Sequence, residues 1–201
     1  MMSNLKILRV FLGATALTII GCALYLNFAG VTDDNIRLLL RLTARIAFLV
    51  LLVIFVARPL QQMFRTPFTR SLVLNRPLFG AAFAGVHTGH FALLMYRAQQ
   101  VSDFEFSVTG NLMGMLTYII IYVMLVTTFS GPRRMIGPTA WRILHKVGLY
   151  WITAIFAQTQ LPRSWSDLSD LNWWLVALLL VALVIRLTAF IRQQRLSSRG
   201  S

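Results

Sequence analysis

The sequence is 201 residues long, 57% of it hydrophobic and only 12% charged, with a mean hydropathy of +0.70. This composition excludes an ordinary soluble domain and indicates that lipid is the solvent for most of the chain. In a soluble protein the net charge of +13 would point to nucleic acid, but here the Arg residues lie between apolar blocks. We therefore expect the lipid bilayer, and no nucleic acid, as the partner of these basic residues.

Apolar segments long enough to cross a bilayer recur along the whole chain, since about 20 apolar residues span the hydrocarbon core. The first segment follows Lys6 and Arg9, as in a signal peptide, but it is too long for a signal sequence and is expected to stay as a mature helix. The fold class predicted is all-α, an integral membrane six-helix bundle forming a single transmembrane domain over residues 1–201. The predicted spans are residues 8–28, 42–60, 77–97, 110–130, 140–160 and 172–192.

The basic residues are unevenly distributed, and short cytoplasmic connections are enriched in Lys and Arg. They concentrate after the second and fourth spans, whereas the acidic residues fall in the other connections, so both termini are predicted to be cytoplasmic. Arg37, Arg41 and Arg45 are exceptions on the outer side, and Arg45 is expected to snorkel or to pair within the bundle. Arg186, inside the sixth span, is expected to snorkel to the cytoplasmic interface. The basic residues that set the orientation are Arg58, Arg65, Arg70, Arg76, Arg133, Arg134, Arg142 and Lys146.

All three histidines of the chain fall in predicted spans. Ionisable groups are costly inside a bilayer, so each one suggests a functional site. His87 and His90 stand three residues apart on one face of the third span, and His145 lies near the cytoplasmic start of the fifth. This arrangement suits a b-type haem, which takes imidazole ligands from two helices and has propionates that pair with Arg residues. Small residues of the third span, among them Gly80, Gly85 and Gly89, would let the flat ring approach the backbone.

A structural interpretation of the histidines stays open beside this one. Each could pack helices together by hydrogen bonding to a hydroxyl or a backbone carbonyl of a neighbouring span. The protein would then be a non-redox membrane scaffold or a small permease, although intramembrane carboxylates and broken helices, which permeases commonly use, are scarce. No nucleotide loop, carboxylate pair or protease motif is present, so we expect no catalytic residue of the soluble type.

Several short motifs resemble the ferric-reductase-like transmembrane family, and within it the haem-binding membrane subunits of bacterial methionine sulfoxide reductase systems. The likeness extends from about Leu38 to Arg192. It implies six spans in a bacterial inner (cytoplasmic) membrane and electron transfer through b-type haem. The motifs are Arg41-Leu42-Thr43-Ala44-Arg45, Ala57-Arg58-Pro59-Leu60, Asn75-Arg76-Pro77-Leu78-Phe79-Gly80 and Trp141-Arg142-Ile143-Leu144-His145-Lys146-Val147.

The resemblance also implies particular ligands. Counted from Gly80, the family's third-helix histidine matches His90, the basic residue near it matches Arg76, and the first histidine of the fifth helix matches His145. The second histidine of that helix would fall at Gln158, which ligates haem iron poorly.

Three arrangements of the haem ligands therefore stay open. His87 and His145, about 15 and 8 Å into their helices, could hold a single haem with His90 as a hydrogen-bonding neighbour. Alternatively, His145 and His90 could serve two haems with incomplete ligation. The third arrangement is a chain that has lost haem.

The resemblance implies electron-transfer partners as well. No flavin or nicotinamide module is encoded, so the electron donor is expected to be a separate flavin reductase or the quinone pool. The acceptor is expected on the outer side, with a periplasmic reductase as the partner. FMN is a further candidate cofactor, although no motif in the sequence supports it.

Overall fold

The protein is helical throughout the part of the chain that the structure, a computed structural model, describes: residues 3–100, 108–160 and 173–198. Those residues form seven helices and no strand. The helices are α1 (Asn4–Ala29), α2 (Asp33–Met63), α3 (Pro67–Leu74), α4 (Arg76–Gln100), α5 (Val108–Val126), α6 (Ser130–Gln160) and α7 (Trp173–Ser197).

Each predicted span lies on a helix, and the all-α class is confirmed for the described residues. Four helices, α1, α2, α4 and α7, are long and apolar enough to cross a membrane on their own. The pair α5 and α6 qualifies only when taken together, with axes that meet at 107°. The described residues therefore contain four candidate spans, or five if the bent pair is counted as one, and the total of six stays a prediction.

The bend of the pair lies between Val126 and Ser130, and α6 has a break of its own seven residues further on. Gly137 has a φ of 76°, which a residue without Cβ adopts readily, and the following Pro138 has no N–H with which to continue the helical ladder. After the break, α6 packs back along α5: Trp141 donates to the carbonyl of Thr127 at 2.9 Å, and Trp151 donates to the Thr117 hydroxyl at 3.1 Å. The contacts thus move toward the start of α5 as α6 proceeds.

A short helix, α3, occupies the connection between α2 and α4, where no separate helix was predicted. Thr66 caps it through a reciprocal hydrogen-bond pair with Thr69, and Pro67 occupies its first turn without losing a hydrogen bond. The buried Thr69 hydroxyl also donates to the side-chain carbonyl of Gln61 at 2.6 Å. The cap and this bond together fold α3 against the end of α2.

Two glycines allow α1 and α4 to pack closely. A Cβ built on Gly85 would lie 2.5 Å from the Phe11 carbonyl oxygen, and one on Gly89 would lie 2.6 Å from the Thr18 methyl group. Small residues at helix contacts let backbones approach in membranes, where helix association depends on van der Waals packing. Small residues of this helix were predicted to face a haem, but Gly85 and Gly89 are covered by α1.

Side-chain contacts bring particular helix ends together. Asn4 at the start of α1 and Ser130 at the start of α6 exchange hydrogen bonds of 3.0 and 3.3 Å, and Arg192 of α7 donates to the Met63 carbonyl at 3.0 Å. At the opposite end of α2, Asp33 forms an ion pair with Arg97 at 2.7 Å. The described beginning and end of the chain therefore lie at the end of the bundle where α2 terminates.

Replacing Gly85 by Ala should destabilise the fold by about 1–3 kcal/mol, because the new methyl group meets the α1 backbone, which cannot move without loss of packing. Thermal unfolding in detergent would measure this. The control is Gly13→Ala in α1, where a Cβ meets nothing within 4 Å. Equal stability of the two variants would contradict close α1–α4 packing.

Candidate functional site

A cavity of about 750 Å³ lies between α2, α4, α5, α6 and α7, toward the ends rich in basic residues. Its volume falls within the range of about 300–1,000 Å³ common for small-molecule and cofactor sites. Leu51, Ile54 and Leu149 form part of an apolar wall, and Leu183 and Leu187 of α7 line another side. The cationic side chains that line it are Arg58, Arg76, Arg142, Lys146 and Arg186.

No carboxylate lines this cavity among the described residues. Their acidic members are Asp33 and Asp34, at the far end of α2, where Asp33 is paired with Arg37 and Arg97. Like charges repel strongly in surroundings of low dielectric constant. The cavity therefore has the electrostatic character of a site for an anion.

The cavity brings His145 close to this positive charge. Its Nε2 lies 3.2 Å from the Thr127 hydroxyl oxygen, and its ring lies against Trp141 with centroids 4.3 Å apart. The same hydroxyl lies 2.7 Å from the Val123 carbonyl, to which it donates its only proton. His145 must therefore carry its ring proton on Nε2, from which it donates to the Thr127 hydroxyl. The lone pair of the imidazole is then on Nδ1, which takes no part in this bond.

His87 lies deeper, in an aromatic cluster formed by α4, α5 and α6. Its side chain is 8% exposed, and its ring is 5.2 Å from Phe83, 5.0 Å from Tyr118 and 5.6 Å from Phe156. Its Nδ1 is buried without a hydrogen-bond partner in the described part of the chain. A buried polar atom left unpaired costs about 1–3 kcal/mol and marks a place for a ligand, ion or water.

His90 stacks on His87 with ring centroids 5.5 Å apart, and it is tied to α2. Its Nδ1 lies 2.8 Å from the Thr43 hydroxyl, which is also 2.8 Å from the Leu39 carbonyl. Because Thr43 donates to the carbonyl, His90 Nδ1–H is the donor in their bond, and Nε2 carries the lone pair. A metal-ligating histidine typically shows this arrangement, with one nitrogen donating to the protein and the other left for the metal.

The structure therefore divides the residues that the sequence suggested for one site. His145, Arg76 and Gly80 line the cavity together, whereas His87 and His90 do not. Phe83 both lines the cavity and stacks on His87, so its ring lies between the two groups. Gln158 faces outward from α6, and no cluster of three or more His, Cys, Asp or Glu side chains suited to a metal ion occurs among the described residues.

Sequence reasoning missed the role of Arg186. Instead of extending to the interface, its Nη1 donates to the Phe55 carbonyl at 2.8 Å and its Nε donates to the Tyr150 hydroxyl at 3.0 Å. Its guanidinium lies 4.2 Å from the centroid of the Phe55 ring and 4.6 Å from that of Tyr150. In a regular helix the Phe55 carbonyl would accept from the backbone N–H of residue 59. Residue 59 is a proline, which has no N–H, so Arg186 supplies the donor instead.

The sequence held a signal for this contact. Pro59 stands in a predicted span and leaves one carbonyl unpaired, and Arg186 is a cation inside another predicted span. Backbone groups freed by a proline in a membrane helix are commonly satisfied by a neighbouring helix. The two irregularities therefore compensate each other.

Replacing Arg186 by Met should lower stability by about 1–3 kcal/mol, because the Phe55 carbonyl loses its donor while the side chain keeps a similar length. In a Pro59→Ala background the alanine N–H bonds to the Phe55 carbonyl, so replacing Arg186 by Met should lower the stability clearly less than it does in the wild-type protein. Thermal unfolding of both single variants and the double variant measures the difference, with Arg195→Met as the control. Additive effects of the two substitutions would contradict the pairing.

Replacing Thr127 by Val should destabilise the α5–α6 contact by about 0.6–1.7 kcal/mol, the scale of interhelical hydrogen bonds in membranes. The reason is that His145 Nε2 loses the hydroxyl that it contacts on the neighbouring helix. Thr153→Val is the matched control, since the Thr153 hydroxyl donates within its own helix to Leu149. Comparable unfolding temperatures for the two variants would argue against the His145–Thr127 bond.

Comparison with known proteins adds no relative to this description. No family model, no curated protein and no solved structure matches the chain. The resemblance to ferric-reductase-like transmembrane proteins therefore stays a prediction from short motifs. What the site can bind is inferred from its own residues.

Proposed function

We propose that this protein is a membrane electron-transfer subunit that holds b-type haem. The observation that carries the proposal is the cavity, which combines one imidazole, from His145, with a group of cations beside which no carboxylate lies among the described residues. A bound haem would supply reversible one-electron transfer through its iron. The protein would position that group and set its potential through the ligand, burial and nearby charge.

The residues of the cavity fit such a group in three respects. A Cβ built on Gly80 would meet nothing within 4 Å, so a flat ring can approach the α4 backbone there. Arg58, Arg76 and Arg186 offer guanidinium groups to propionates, which accept bidentate hydrogen bonds. Apolar walls limit water around the iron. Ligation through His145 Nε2 would replace its bond to Thr127 and require the ring proton to be on Nδ1 instead.

His87 and His90 are the candidates for further iron ligands. The unpaired Nδ1 of His87 and the Nδ1–Thr43 bond of His90 are features expected of imidazoles prepared for a ligand. Pairing His87 with His145 on one haem would require the Phe83 ring to move aside. A haem on His90, separate from one on His145, would need no such movement.

Six spans with both termini in the cytoplasm of a bacterium belong to the same proposal. The four long apolar helices and the grouping of basic residues at the end of α2 are consistent with it. Electrons would enter from a separate flavin reductase or the quinone pool at the basic end. They would leave to an acceptor or a periplasmic reductase at the other end, and FMN remains without a supporting motif.

A non-redox membrane scaffold is the second candidate, and one observation favours it. His90 and His145 each contact a threonine hydroxyl on a neighbouring helix, which is what a packing role predicts. The unpaired Nδ1 of His87 is the feature that this candidate leaves unexplained.

The deciding experiment is the dithionite-reduced minus oxidised absorption spectrum of protein produced with added haem, with haem counted per chain. We expect a b-type spectrum that His145→Ala abolishes or strongly weakens. Loss of the spectrum in His87→Ala or in His90→Ala would identify the second ligand of the iron. The variants Thr127→Val and Thr43→Val should retain haem, because they remove only hydrogen bonds. Colourless wild-type protein would exclude the haem proposal and favour the scaffold.

A further inference from the structure

Arg186 differs from the other cations of the cavity in how firmly it is held. Two hydrogen bonds, to the Phe55 carbonyl and the Tyr150 hydroxyl, fix the orientation of its guanidinium plane, and the rings of the same two residues lie against it. Arg58, Arg142 and Lys146 are exposed, and the half-buried Arg76 makes no hydrogen bond with another described residue. A pre-organised guanidinium loses less conformational entropy when it binds an anion.

The fixed guanidinium also has donors to spare. Arginine carries five N–H groups, and the bonds described use one on Nε and one on Nη1. Nη2 has no hydrogen-bond partner in the described part of the chain, and Arg186 lines the cavity. Its remaining donors are thus available to a ligand in the cavity, in the planar geometry that suits a carboxylate.

We propose that Arg186, oriented by the carbonyl that Pro59 leaves unpaired, is the fixed carboxylate-binding group of the cavity, and that its ligand is a flat amphipathic carboxylate. The apolar walls take the body of such a molecule, and the excess positive charge takes its acidic end. For a haem this inference rests on the proposed function, since the propionates would bind here. The anion site itself does not depend on iron.

Metal-free protoporphyrin IX and its dimethyl ester separate carboxylate binding from iron ligation. Both are flat and largely apolar and neither contains iron, but only the free acid carries carboxylates. Their affinities for the full chain would be measured by fluorescence titration in an uncharged detergent. We expect Arg186→Met to weaken binding of the free acid about tenfold, the scale of one charge-assisted hydrogen bond. Binding of the ester should stay the same.

Two further variants keep the test decisive if Arg186→Met proves unstable. The double variant Pro59→Ala/Arg186→Met restores the helical hydrogen bond of Phe55 without restoring the cation, so it should fold and still show the tenfold loss. Arg195→Met removes an exposed cation at the end of α7 and should leave both affinities unchanged.

The inference is overturned if wild-type protein binds the acid and the ester equally, or if the double variant retains full affinity for the acid. A protein that shows no haem spectrum but loses affinity for protoporphyrin in the Arg186 variants would refute the haem proposal and keep the carboxylate site. If the haem spectrum depends on His145 but the affinity for protoporphyrin is the same in the Arg186 variants, the haem proposal stands and the carboxylate site at Arg186 is refuted.

Discussion

A backbone carbonyl without a donor is costly in lipid, and Pro59 creates one at Phe55, inside a helix that contacts most of the bundle. The donor comes from α7, through Arg186, so a side chain that is itself unfavourable in a bilayer is retained for a structural reason. This bond and the one from Arg192 to the Met63 carbonyl help to fix where α7 lies along α2. The Arg186 bond also places a cation at the wall of the cavity, so the packing of the bundle and the charge of its site have the same origin.

Charge is separated along the bundle. At one end of α2, Asp33 forms ion pairs with Arg37 and Arg97, whereas the cavity near the other end collects positive charge that no described carboxylate balances. Such an arrangement favours an anionic ligand and also disfavours close approach of other cations. The apolar cluster around His87 lies between these two regions, and such surroundings screen charge weakly, so the potential of any redox group there would respond to both.

Much of the fold could be predicted from the sequence, because apolar segments of membrane length are a strong and local signal. The boundaries of α1 and α4 fall within a few residues of those predicted, at Asn4–Ala29 and Arg76–Gln100. The short helix α3 was missed because it is far shorter than a membrane span, and its bond to Gln61 is a contact that no hydropathy pattern encodes. The break at Gly137 was visible as a turn signal, but the basic helical turn before it was not.

The site was harder to predict, because a list of polar residues does not say which of them meet. One cavity is lined by His145, Arg76 and Gly80, three of the residues suggested for a haem site, because all three lie near the same end of the bundle. The division of His87 from His145 depends on the position of Phe83, which is a matter of tertiary packing. Gly85 and Gly89 looked suited to a cofactor, but a smooth face fits a helix equally well, and α1 occupies it.

The contact between α1 and α4 has a consequence for the order of assembly. α1 touches α4 more extensively than it touches any other helix, although roughly 70 residues separate the two contact surfaces along the chain. During synthesis α1 would enter the bilayer long before Gly85 and Gly89 are made, so its partner surface does not yet exist. α1 therefore finds its main packing partner only when α4 has arrived, so the contact that covers Gly85 and Gly89 cannot form while α1 itself is being inserted.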